Sequence, residues 1–121
     1  MDEVSENLRI LLVDDDDHVR AALMRTLRRS GGVIEEFSSG YRAIARAAET
    51  SFDVAVLDIS MPEMDGDALA LELRQRQPDM RLVFVSADTE SEGAQRAKNL
   101  TRATFVRKPW ATAEMLRVVR G

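Results

Sequence analysis

The chain has 121 residues, 45% hydrophobic and 31% charged, with a net charge of −4. That length suits one domain with one core, and the charge balance offers no basic field for nucleic acid. The absence of cysteine excludes disulfides and thiolate metal sites and suits the cytosol. No apolar run approaches the ~20 residues that span a bilayer.

The opening stretch, Met1 to Asn7, is acidic and polar, unlike a signal peptide. It reads as a short flexible leader (1–7) ahead of a single domain over 8–121. Five apolar runs then alternate with segments of helical period. Leu8 to Val13 is the first run, and Val19, Leu23 and Leu27 give the following helix one apolar face. Asp17 reads as the cap of that helix and Asp16 as simply exposed.

Val33 to Phe37 is the second run. Its Glu35 and Glu36 place it at a sheet edge. An alanine-rich helix spans Tyr41 to Ala48. Val54 to Leu57 is the third run; Leu69 and Leu73 mark the next helix, which stops before Pro78. Leu82 to Val85 is the fourth run. The helix after it, Glu90 to Leu100, has few large apolar residues and an internal Gly93. Thr104 to Val106 is the last run, and Thr112 to Val119 the last helix. Strand–helix alternation at these lengths predicts a parallel sheet with helices on both faces. Three of the runs are almost wholly apolar, as strands buried on both faces should be.

Charge gathers where the runs end. Asp14 and Asp15 close the first, Asp58 the third, and Lys108-Pro109 the fifth. In open parallel sheets, ligands bind outside the carboxyl ends of the strands. If these strands are neighbours, the carboxylates crowd together. At ~4 Å and an effective dielectric near 20, each like-charged pair costs roughly 4 kcal/mol. Lys108 offsets part of this and a divalent cation more; an all-oxygen donor set with room for water is what magnesium prefers. A calcium loop of the EF-hand kind is a poor match, since Val19 and Arg25 stand where its glycine and glutamate would be.

The stretch Asp58-Ile59-Ser60-Met61-Pro62-Glu63-Met64-Asp65-Gly66 is the most specific in the chain. It reads as a strand end, a proline-shaped loop and an Asp-Gly turn opening a helix. With Asp14-Asp15, Ser86-Ala87 and Lys108-Pro109, in this order and spacing, the chain resembles the receiver domains of bacterial two-component response regulators from about Leu8 to Val119.

The resemblance implies a flavodoxin-like (βα)5 fold with strand order 2-1-3-4-5. It implies that Asp58 is the phosphoacceptor, and that Mg2+ is bound by Asp15, Asp58 and the backbone carbonyl of Ser60, with Asp14 acting through water. It implies that Lys108 pairs first with the carboxylate and then with the phosphoryl oxygens, that Ser86 donates its hydroxyl to the phosphoryl group, and that Phe105 is the switch aromatic. The Lys108-Pro109 peptide is expected to be cis. The implied partners are a sensor histidine kinase or phosphotransfer protein and a downstream effector. Helix four, strand five and helix five form the output face, and a phosphorylation-dependent dimer is one form the output can take. No direct nucleic acid or membrane binding is implied, and the location is cytoplasmic. The domain catalyses only its own phosphorylation and dephosphorylation.

The chain departs from the family pattern ahead of the fifth strand, where Thr101 and Arg102 stand in place of Gly-Ala. Losing that glycine removes an easy left-handed helix end, so Glu90 to Thr101 is expected to be mobile or irregular. Two other functions compete. A haloacid-dehalogenase type phosphohydrolase also uses an aspartyl phosphate, and Asp14-Asp15-Asp16 contains its Asp-x-Asp. Against it, the chain is short and the order of Asp58 and Ser86 is reversed. A phosphorylation-independent binding module would have no need of the full acidic set.

Overall fold

A computed structural model describes residues 8–121; the leader, 1–7, lies outside the described residues. The strands are β1 (Arg9–Val13), β2 (Val33–Phe37), β3 (Val54–Asp58), β4 (Arg81–Ser86) and β5 (Ala103–Arg107). The helices are α1 (Asp17–Arg28), α2 (Gly40–Ala47), α3 (Gly66–Arg76), α4 (Glu92–Ala97) and α5 (Thr112–Arg120). All strand pairs are parallel, in the order β2-β1-β3-β4-β5. This is the flavodoxin-like arrangement expected from the sequence.

Side chains alternate across each strand, so β1 serves two cores. Leu11 and Val13 join Leu57, Ile59, Leu69 and Leu73 on the face covered by α2, α3 and α4. Ile10 and Leu12 join Leu23, Leu27, Val56, Met115 and Val119 beneath α1 and α5. Every residue of β3 is buried, which explains its unbroken apolar run. Strand β2 does lie at an edge, and its two glutamates are paired there. Glu35 bridges Arg46 at 2.7 Å and Arg9 at 3.1 Å, and Glu36 bridges Arg20 at 3.0 Å.

Two local expectations need correction, and a third point of interest is the turn into β5. The cap of α1 is Asp16, not Asp17: its Oδ1 accepts from the amides of His18 at 2.9 Å and Val19 at 3.1 Å. Asp17 lies inside the helix and pairs with Arg20 at 2.8 Å. Helix α4 is six residues, shorter than the predicted Glu90 to Leu100. Its start is set by the Ser91 hydroxyl, which accepts from Ala94 N at 3.1 Å. The turn into β5 is closed without glycine: Arg102 itself takes the left-handed conformation, with φ of 50°. Its guanidinium bonds the Pro78 carbonyl, and its own carbonyl accepts from Leu82 N at 3.0 Å.

Candidate phosphoacceptor site

Three strand ends converge at the carboxyl edge of the sheet. β1 delivers Asp14 and Asp15, β3 delivers Asp58, and β5 runs on into Lys108. One carboxylate oxygen from each of Asp14, Asp15 and Asp58 lies within 4.8 Å of the others. Lys108 Nζ stands 3.3 Å from Asp58 Oδ1 and 3.7 Å from Asp14 Oδ2. The Lys108-Pro109 peptide is cis. A cavity of about 330 Å³ opens here, lined by Asp15, Asp58, Ser60, Ser86, Asp88 and Lys108 among others.

The burial is uneven. Asp14 is wholly buried and Asp58 is 8% exposed, while Asp15 faces solvent. Burial, then the Asp14 charge, push the Asp58 carboxyl up to about 6 against the pull of Lys108. Burial also raises Asp14, against the amide of Asp16 that donates to its Oδ1 at 2.9 Å. Asp14 Oδ2 is buried without any hydrogen bond. A buried, unsatisfied carboxylate oxygen beside two more carboxylates suits a divalent cation. The donor set is all oxygen, as magnesium requires, and the residues present fit the ion.

Both protein hydrogen bonds to Asp58 fall on Oδ1, from Lys108 Nζ and from Ser60 N at 3.4 Å. Oδ2 is the oxygen left without a protein partner among the described residues. Ser86 is at the site but its hydroxyl is turned away. It donates to the Asp88 carbonyl at 2.7 Å and accepts from Asp88 N at 3.1 Å. Phe105 is half-buried on β5, its ring 5.3 Å from that of Phe84 and 6.0 Å from Lys98 Nζ. Trp110 packs against the α1–α5 core, its indole donating to Thr26 Oγ1 at 3.0 Å.

The sequence reading missed Arg20. Its guanidinium donates to the Asp14 carbonyl at 2.8 Å while holding Asp17 and Glu36, which steadies the turn that aims Asp15. The i, i+3 spacing from Asp17 was the available signal. A larger depression of about 900 Å³ lies at the opposite edge of the sheet, around Phe52, Gln77 and Arg81. Two of its polar side chains are already engaged. Gln77 bonds Phe52 N, Ala47 O and Thr50 O, and Arg81 bonds the carbonyls of Val118 and Val119.

Comparison with known proteins agrees with this geometry. The family model for the response regulator receiver domain matches residues 10–120. The sensor kinase CckA of Brucella abortus is 33% identical over 120 residues, covering 98% of this chain and 13% of the kinase. The response regulator receiver protein CpdR of the same organism is 32% identical over 105 residues, covering 82% of this chain and 88% of CpdR. Among solved structures, the Vibrio cholerae chemotaxis protein CheY4 superposes with a TM-score of 0.84 at 25% identity, covering 94% of this chain and 97% of that one. The chain thus spans only a small part of the kinase but most of CpdR. This chain belongs to the response regulator receiver domain family of two-component systems.

Proposed function

We propose that Asp58 accepts a phosphoryl group from a phosphohistidine on a sensor kinase or phosphotransfer protein, and that the acyl phosphate switches the surface formed by α4, β5 and α5. The observation that carries this is the pairing of Asp58 Oδ1 with Lys108 Nζ at 3.3 Å, inside a cluster whose other members are Asp14 and Asp15. Lys108 and the Ser60 amide both hold Oδ1, which leaves Oδ2 as the nucleophile.

In the transfer, an oxygen lone pair of Asp58 forms the new O–P bond. The P–N bond of phosphohistidine breaks, and its electron pair returns to the imidazole. Charge then rests on the three equatorial oxygens, so catalysis is a matter of in-line placement and electrostatic stabilisation. Lys108 supplies one fixed positive charge within reach of Asp58. Asp15, Asp58 and the Ser60 carbonyl would hold Mg2+, with Asp14 acting through water. When bound, the ion neutralises phosphoryl oxygens. Ser86 must give up its bond to the Asp88 carbonyl before its hydroxyl can donate to the phosphoryl group. That release, followed by inward movement of Phe105, is the switch. The downstream effector and any phosphorylation-dependent dimer belong to the same reading, as does a cytoplasmic location, where kinases draw on ATP.

The test supplies acetyl phosphate and Mg2+ and counts phosphate by intact mass. One alkali-labile phosphate per chain, absent in Asp58→Asn and in chelator, is the expected result. Many turnovers on a generic phosphate ester would favour a phosphohydrolase instead.

A further inference from the structure

Helix α4 is held to the molecule in an unusual way. It is six residues long, and its buried residues are Gly93, Ala94 and Ala97, so little apolar surface anchors it. Two contacts tie it to the segment around Asp58. A β-carbon placed at Gly93 would lie 3.1 Å from Ile59 Cγ2, so this turn of α4 rests closely on the residue that follows Asp58. The second contact is ionic. Arg96 Nε meets Asp67 Oδ2 at 2.6 Å, and the Asp67 side chain is 8% exposed. Asp67 directly follows Gly66, whose Cα is pressed so tightly against the Asp58 carbonyl that a β-carbon would collide with it. Both contacts therefore end on side chains whose own backbone adjoins Asp58 or follows the glycine packed on it.

The ionic contact has two arrangements within reach. Asp67 Oδ1 is buried with no partner, and Arg96 Nη2 already lies 3.4 Å from Oδ2 of the half-exposed Asp65. The guanidinium thus already spans both aspartates, strongly to Asp67 and weakly to Asp65, and a change in the first turn of α3 would alter that balance. Apolar side chains would join the helices without desolvating a charge, so a buried Asp67 with an orphan oxygen, reached only by the half-exposed Arg96, is a poor adhesive. Its advantage is that it can change partners, which is what a two-state element needs.

We propose that Arg96 and Asp67 form a strap that carries the state of the Asp58 loop to α4, by a route separate from Ser86 and Phe105. Arg96 is a positioning residue here and touches no reacting atom. The inference rests on the phosphoacceptor reading above.

The experiment follows amide exchange over residues 92–97 in the full chain, with and without acetyl phosphate and Mg2+, while intact mass counts the phosphate. In the wild type, phosphorylation changes exchange over 92–97. Arg96→Gln takes up phosphate as the wild type does, yet exchanges about tenfold or more faster over this segment, to the same extent in both states. Asp67→Asn behaves alike; because it alters a buried group, the exposed Arg96 decides the matter. Ser86→Ala, read at its own phosphorylation plateau, keeps the response. The strap is overturned if Arg96→Gln exchanges and responds like the wild type, or if Ser86→Ala abolishes the response. Failure of the wild type to take up phosphate would instead sink the phosphoacceptor reading. In that case, unchanged exchange over 92–97 in unphosphorylated Arg96→Gln overturns the strap on its own.

Discussion

Asp58 and Asp14 are carboxylates in a place that disfavours their charge. Burial leads in both; the Asp14 charge adds to the cost at Asp58, and the charges of Asp15 and Asp16 add to it at Asp14. Because the Asp58 carboxyl titrates at about 6, the folded chain holds a proton there that the unfolded chain has already released. Stability from this residue is thus full below the ordinary carboxylate range and is lost as pH rises towards and through 6. In chelator, the wild type should lose stability relative to Asp58→Asn between about pH 4 and about pH 7, by roughly 2–3 kcal/mol. Urea midpoints of the two proteins across that range measure it. Only the difference between them is diagnostic. Glu35 and Asp16 are shifted down by Arg46 and by backbone amides respectively, and their contributions run the other way, falling as pH falls.

At the scale of single elements, the sequence was clear wherever hydrophobic period decided the outcome. The strands and four of the helices follow from the apolar runs, whereas the meeting of Asp14, Asp15, Asp58 and Lys108 also needed the strand order that the family resemblance implied. It was opaque where a choice rested on backbone angles or on distant partners. Among four successive aspartates, Asp16 becomes the cap because Asp14 Oδ1 binds its amide and holds it extended, with ψ of 116°. No pattern of residue types marks that. Asp16→Ala should lower the melting temperature, and Asp16→Asn should restore most of it, since an amide oxygen caps nearly as well. Arg96 and Asp67 are 29 residues apart, beyond any local signal. Arg102 was expected to be troublesome, and the difficulty is met by forcing a residue with a β-carbon into glycine's conformation. Arg102→Ala keeps that backbone cost and drops the guanidinium contacts, so it should destabilise. Arg102→Gly should be about 1 kcal/mol more stable than Arg102→Ala, as read by denaturant midpoints.

For the molecule as a whole, if the cluster around the orphan oxygen of Asp14 holds the proposed Mg2+, folding and cation binding become one equilibrium. Magnesium at a hundredfold over its dissociation constant should add about 2.7 kcal/mol to unfolding. The gain should shrink sharply in Asp15→Asn, which a thermal melt against magnesium concentration will show. Position in the sheet has its own consequence. Asp58 closes the middle strand, which is hydrogen-bonded to β1 on one side and β4 on the other, whereas α4 hangs from small residues and one guanidinium. On the proposed reading, the phosphoryl group would arrive at the strand tied in on both sides, and the reply would come from the helix held by the least apolar surface.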